Sequence, residues 1–241
     1  MKYAILSDIH SNLAAFEAVL ADLKARGGVD ELWCLGDVIG YGPDPHECIQ
    51  LLRSQRHLCV AGNHDWAAIG NIDTSYFNLE AAAACRWTAS KLTQDDILYL
   101  RSLPLILQRG DFTLVHGSPR EPIWEYILSK DKALDNFAYF DTRFCFVGHS
   151  HSPFVFELDR NICIPQFLGR NLLLKQNRLV INCGGVGQPR DYDARASYAI
   201  LDTEEGLLQH YRVGYDIFKT QQKMIDAHLP FDLISRLSVG C

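Results

Sequence analysis

Apolar and polar positions along the chain alternate with two different periods. Short apolar runs at 2–6, 31–35, 57–60, 112–116, 144–148 and 178–182 predict β-strands, several of them running into polar, glycine-containing stretches. Between the early runs the period lengthens. Leu13, Phe16, Leu20 and Leu23 share one face of a helix expected over 13–25, which Gly27-Gly28 stops. A second helix is expected from about Pro45 to Ser54, with proline in its first turn. This alternation through residue 70 implies βαβ units with parallel strands and right-handed crossovers. Two more helices are expected near 78–91 and 94–103, the second capped by Thr93 and ended at Pro104. Beyond residue 144 the apolar runs crowd together (144–148, 153–158, 171–174, 178–182, 196–202, 206–212), which predicts a largely antiparallel region. A helical tail near 215–236, interrupted at Pro230, follows. The pattern therefore gives an α/β chain, and 241 residues without repeat, biased tract or linker fit one domain over 1–241.

Composition narrows the function classes. With 48% hydrophobic and 22% charged residues, disorder is excluded. A net charge of −6 argues against a general nucleic-acid binder, which needs a basic stripe to displace counterions. The first apolar run is broken at once by Ser7, Asp8 and His10, so it reads as neither signal peptide nor membrane span, and a cytoplasmic protein is expected. Eight cysteines form no Cys-x-x-Cys pair and mostly sit in apolar runs, so buried free thiols are expected rather than a disulfide or a zinc site.

Five polar clusters follow predicted strands: Asp8-Ile9-His10, Gly36-Asp37-Val38-Ile39-Gly40, Gly62-Asn63-His64-Asp65, His116-Gly117 and Gly148-His149-Ser150-His151. Loops at the C-terminal ends of strands are where α/β sheets gather ligand-binding groups. In an extended segment, Asp8 with His10 and His149 with His151 would project to the same side and reach one ion. Carboxylate, imidazole and amide oxygen are hard to borderline donors, suited to divalent Mn, Fe or Zn rather than to thiolate-bound metals. Side chains at Gly36, Gly62, Gly117 or Gly148 would obstruct turning or phosphate approach. Each cluster alone has a plainer account. Gly-Asp is commonly a turn, Asn63 or Asp65 could cap a helix, and His116 could be a core histidine. His46, His57, His210 and His228 lie away from strand ends and read as structural or solvated.

Taken in order over residues 8–151, the motifs D-x-H, G-D-x-x, G-N-H-D, H and G-H-x-H resemble those of the calcineurin-like metallophosphoesterase superfamily. That resemblance implies a four-layer α/β/β/α sandwich of two mixed β-sheets flanked by helices. It implies two divalent metal ions (Mn, Fe, Zn, Ni or Mg, with Mn favoured). Asp8, His10 and His151 would hold one, Asn63, His116 and His149 the other, and Asp37 would bridge them. His64 would stand beside the scissile ester without binding metal, oriented by Asp65. The implied reaction is hydrolysis of small phosphodiesters or phosphomonoesters, nucleotides among them, by in-line attack of a hydroxide shared between the ions. Two carboxylates leave such a centre with a charge of about +2, or about +1 with the hydroxide, which attracts a phosphate ester without requiring arginine.

Two later stretches resemble the small prokaryotic phosphodiesterase branch. One is Asn182–Arg190, in which Cys183 and Gly185 stand where the branch has Pro and Ser; the other is His116–Tyr126. Arg120, Trp124 and Tyr126 would line a pocket that stacks on a base or aromatic leaving group, or the two aromatics would simply pack a loop. Arg190 and Arg195 would bind a second phosphate, or pair with Asp191 or Asp193. A protein Ser/Thr phosphatase would carry arginines after Gly-Asp and before Gly-Asn-His. Here those positions read Val38-Ile39 and Val60-Ala61, so small substrates rank first. A noncatalytic scaffold of the same fold is the remaining alternative, and it would not need the full ligand set.

Overall fold

The computed structural model describes residues 1–241. Twelve strands form two six-stranded sheets. The first sheet uses β1 (Lys2–Leu6), β2 (Glu31–Cys34), β3 (His57–Cys59), β9 (Asn171–Leu173), β11 (Ala196–Asp202) and β12 (Leu207–Val213). The second uses β4 (Ile106–Arg109), β5 (Phe112–Val115), β6 (Phe144–Val147), β7 (Phe154–Asp159), β8 (Ile162–Gln166) and β10 (Arg178–Asn182). Their orders are β3-β2-β1-β11-β12-β9 and β4-β5-β6-β10-β7-β8. Both sheets are mixed. The trio β1, β2, β3 is parallel, as is the trio β5, β6, β10, and the remaining pairings are antiparallel.

Eight α-helices accompany the sheets: α1 (Leu13–Ala25), α2 (Pro45–Arg53), α3 (Asn63–Ala68), α4 (Leu79–Ala89), α5 (Gln94–Ser102), α6 (Lys130–Asn136), α7 (Ile217–Asp226) and α8 (Phe231–Ser235). Alternation along the strands divides the core into layers. Tyr3 and Ile5 of β1 point inward and meet Phe112, Phe144, Phe146 and Ile181 of the other sheet. Ala4 and Leu6 point outward under Phe16 and Val19 of α1 and Ile49 and Leu52 of α2. On the far side, Cys145, Val147 and Val180 pack against Ala133 of α6 and the following Phe137. The expected four-layer α/β/β/α sandwich is the observed one. No helix is long and apolar enough to cross a membrane.

The long, strongly periodic elements form where expected, and the short ones explain the differences. The expected α1 coincides with Leu13–Ala25, and Asn12 caps it by accepting from Ala15 N at 3.2 Å. Thr93 caps α5 through a reciprocal box with Asp96. The strand β8 was not expected, because Pro165 lies inside it; proline is tolerated since β8 is the sheet edge. The strand β4 is equally unannounced, being exposed at three of its four positions. Nor does α6 announce itself, since only Ala133 and Asn136 of its seven residues are buried. The Asn63-His64-Asp65 cluster, expected as loop, is the first turn of α3.

All eight cysteines are free thiols, and only Cys241 is exposed. Burial pushes the Cys48 thiol well above its ordinary value. A thiol reagent is therefore expected to modify one of the eight cysteines in the native protein and all eight after unfolding. A native count of several would contradict this packing.

Candidate metal centre

The loops following β1, β2 and β3 meet those following β5, β6 and β10 at one edge of the sandwich. Backbone hydrogen bonds lock the loops together: Asp8 N donates to Gly36 O (3.1 Å), His10 N to Asp37 O (2.9 Å), Gly148 N to His116 O (2.8 Å) and Gly187 N to Asp8 O (2.8 Å). Asn182 holds the third side, donating to Gly148 O at 2.6 Å and to Ser150 Oγ at 3.0 Å. Such close approach leaves no room for side chains at two glycines. A Cβ on Gly62 would lie 2.0 Å from Asp37 Oδ1, and one on Gly187 would lie 1.8 Å from Ile9 O.

The i, i+2 pairs are not extended, contrary to the expectation. Asp8 (φ 54°), His10 (φ 50°), Asp37 (φ 52°), His149 (φ 64°) and His151 (φ 58°) all lie in the left-handed region. Non-glycine residues rarely go there, and such positions cost on the order of 1–3 kcal/mol each unless surrounding structure imposes them. The interlocking loop hydrogen bonds impose them here.

The side chains converge in two adjoining groups. Ligand atoms of Asp8, His10 and His151 lie within 4.8 Å of one another, and so do those of Asp37, His116 and His149. His10 Nε2 is 3.1 Å from His151 Nε2, and His116 Nε2 is 3.2 Å from His149 Nδ1 and 3.0 Å from Asn63 Oδ1. Asp37 Oδ2 stands between the groups, 3.6 Å from His10 Nε2 and 3.3 Å from His116 Nε2. All seven residues are buried. The seven expected ligands are thus brought together.

What the imidazoles do with their other nitrogens decides which face is available. His10 Nδ1 donates to Ile39 O (3.1 Å), His116 Nδ1 to Leu35 O (2.8 Å), His151 Nδ1 to Gln188 O (2.5 Å) and His149 Nε2 to Trp124 O (3.3 Å). A carbonyl only accepts, so each outer nitrogen carries the proton and each inner nitrogen of the neutral ring presents a lone pair. This backbone arrangement orients rings that bind metal. Both Asp8 oxygens and Asp37 Oδ2 are buried without a hydrogen-bond donor. Lone pairs facing lone pairs, with carboxylate oxygens among them, are the donor set a divalent cation requires.

Charge follows the same geometry. Burial pushes His10, His149 and His151 well below the ordinary imidazole value. It also raises Asp8 to about 7. Burial opposes charge on Asp37 too, but His116, His64 and His10 around it outweigh that and hold it well below the usual carboxylate range. The His64 amide adds a hydrogen bond to Asp37 Oδ1 at 2.8 Å. His116 is raised to about 9: burial alone would lower it, and the adjacent Asp37 reverses the sign, so without a metal this ring also carries a proton on its inner nitrogen, which a bound cation would displace.

Residues 1–206 match the calcineurin-like phosphoesterase superfamily domain. The chain belongs to that superfamily. It is 41% identical over 242 residues to an uncharacterized protein of Methanocaldococcus jannaschii, covering 98% of this chain and 97% of that one. The crystal structure of a metallophosphoesterase from Sphaerobacter thermophilus superposes with a TM-score of 0.90 at 44% identity, covering 100% and 99% of the two chains. A symmetrical bis(5'-nucleosyl)-tetraphosphatase of Ectopseudomonas mendocina is 30% identical over 142 residues, which is 55% of this chain and 50% of that one.

Around this superfamily centre the remaining expected residues divide. His64 lines a cleft beside the cluster together with Tyr41, Tyr76, Phe77, Trp124, Tyr126 and Arg190. Burial lowers His64 to about 4, and its Nδ1 has no partner. Asp65 does not orient that ring. Its oxygens accept from Gly62 N (3.0 Å) and Ile39 N (3.2 Å), so it braces the loop behind the cluster instead. Arg120 is likewise corrected: Glu125 and Asp135 pair with its guanidinium, away from the cleft. Trp124 packs on Phe77 at 5.2 Å and Tyr126 stacks on His149 at 3.8 Å, so both pack and both face the cleft. Arg195 pairs with Asp193, the plainer of its two readings.

One contributor was not singled out from sequence. Tyr41 sits between His10 (4.6 Å) and His64 (4.3 Å), and only the position of its backbone in the loop after β2 places it there. Gly185, which stands where the branch has serine, lies where an added Cβ would come within 3.3 Å of Asp8 and His151.

Replacing Gly62 by alanine is expected to destabilise the fold by roughly 2 kcal/mol or more, since Asp37 would have to move. That lowers Tm by roughly 4–8 °C for a chain of this size, whereas Gly214→Ala, with nothing within 4 Å, should shift it little. Equal melting of both variants would show that the loop after β2 is not tightly braced.

Proposed function

We propose that Asp8, His10 and His151 hold one divalent metal ion, that Asn63, His116 and His149 hold a second, and that Asp37 bridges them. The chain then acts as a phosphoesterase on small phosphodiesters or phosphomonoesters, nucleotides among them. The observation that carries this reading is the inward convergence of two buried carboxylates with four imidazoles, each imidazole donating from its outer nitrogen to a backbone carbonyl. Two such ions, manganese favoured among the hard to borderline divalent metals, supply Lewis acidity toward phosphoryl oxygens and a water-derived nucleophile at neutral pH.

The chain's own residues position the substrate. His64 stands on the cleft side of the cluster, its ring held edge-on by Phe77 at 4.7 Å and against Tyr41. From there it donates a hydrogen bond to the departing oxygen as the ester bond breaks. Tyr76, Phe77, Trp124 and Tyr126 form an aromatic wall that suits a nucleobase or aryl leaving group. The partial likeness to a bis(5'-nucleosyl)-tetraphosphatase supports the same class of substrate.

Elemental analysis of the purified protein is expected to find about two divalent ions per chain, as a dinuclear site requires. Chelation should abolish turnover of bis(p-nitrophenyl) phosphate and lower Tm, because the ligand cluster binds metal only when folded. His64→Ala should retain both ions yet lose about 100-fold or more in kcat on an unactivated ester. Full turnover by that variant would remove His64 from the reaction, and a metal-loaded protein inert toward every ester would favour the scaffold alternative.

A further inference from the structure

Two arginines on the cleft wall are held in a way that the metal centre does not explain. Arg190 Nη2 donates to Gln188 Oε1 at 3.0 Å and to Tyr41 Oη at 3.3 Å, and Arg236 Nη1 reaches the same Gln188 oxygen at 3.4 Å. Neither guanidinium meets a carboxylate, and the Nε of each is buried without any partner. Asp191 and Asp193, the acids nearest Arg190 in sequence, are committed to Arg212 and Arg195, and Asp232, the acid nearest Arg236, forms no ion pair with it. Two half-buried cations thus share one neutral amide oxygen. Such an arrangement repels itself and leaves donors unused unless an anion joins it, and a planar guanidinium fork matches phosphate oxygens.

The position is built firmly. Arg236 follows α8, and Leu233, Ile234 and Leu237 around it pack with Met224 of α7, Ala81 of α4 and Tyr41. Gln221 ties the turn by donating to Ile234 O and Ser238 Oγ, both at 2.8 Å. Arg236 also lies beyond residue 206, where the superfamily match ends. Gln188 connects the pair to the centre, because its backbone carbonyl is the one that orients His151.

We infer that Arg190 and Arg236 bind a second phosphate of the substrate, adjacent to the one that reacts, so the preferred substrates are nucleotides carrying linked phosphates rather than single-phosphate esters. This rests on the phosphoesterase reading above. Asn63 and His64 line the same cleft of about 280 Å³ as both arginines, and the aromatic wall completes it, so reacting phosphate, second phosphate and base would share one opening.

The test compares diadenosine tetraphosphate with bis(p-nitrophenyl) phosphate on the metal-loaded full chain, for wild type, Arg236→Gln and Arg236→Lys. For Arg236→Gln, KM should rise about tenfold or more further on the polyphosphate than on the single-phosphate diester, the scale of a lost charge-assisted contact. The lysine variant, which keeps the charge and loses the fork, should fall between. Equal losses on both substrates would place the arginines on the reacting phosphate and overturn the inference. A second readout does not depend on turnover: calorimetric titration of inorganic pyrophosphate into the protein in excess chelator. Wild type should bind and the Arg190→Gln/Arg236→Gln double variant, checked for an unchanged melting profile, should not. Identical binding by both would also overturn the inference, whereas binding by wild type without turnover of any ester would overturn the phosphoesterase reading alone.

Discussion

Two neutral imidazoles whose outer nitrogens are committed to backbone carbonyls cannot satisfy each other across the gap they share. His10 and His151 face each other at 3.1 Å with a lone pair on each side, and Asp8 beside them has no donor at either oxygen. Everything else at this end of the molecule is arranged to sustain that unfavourable meeting. The cost is met by burial and interlocked loops, because isolated chains would turn these groups toward water. Five of the seven clustered residues adopt left-handed backbone that only a surrounding framework can impose.

That framework is the pair of parallel trios. Placing β1, β2 and β3 in one sheet and β5, β6 and β10 in the other sends six strand ends to a common edge, each delivering a short loop. The inward faces, packed through Trp33, Phe112, Phe144 and Phe146, fix the separation of the sheets and hence the width of the gap. A rigid hydrophobic layer is therefore the reason that a polar cluster can be held to within tenths of an ångström.

Legibility followed periodicity and motif length. Elements with many apolar residues in register, such as α1, β1 and β11, could be placed from the pattern to within a residue or so. The edge strands β4 and β8 and the small helix α6 could not, because their few buried positions leave no periodic signature. At the site, the ligand residues stood out because charged and imidazole groups directly after apolar runs are unusual. How their backbone turns was misjudged: an i, i+2 pair in an extended strand and in left-handed turns looks alike in one dimension. Asp65 and Arg120 were misassigned for a related reason, since which partner captures a polar side chain depends on loops distant in sequence, Ile39 for the one and Asp135 for the other. Tyr41 and Arg236 carry no local motif at all. The loop after β2 places Tyr41, and the returning tail packs on it and brings Arg236 to the cleft.

That returning tail divides the molecule along an unexpected seam. All seven clustered residues precede residue 206, while the segment after it packs on Tyr41, lines one side of the opening through Arg236, and reaches Asn12 through Thr220 at 3.0 Å. The polar cluster and most of the cleft wall thus come from the first stretch of chain, and the tail adds Arg236 on one side. Substitution at Arg236 would therefore alter the rim of the opening while leaving the clustered histidines and aspartates in place.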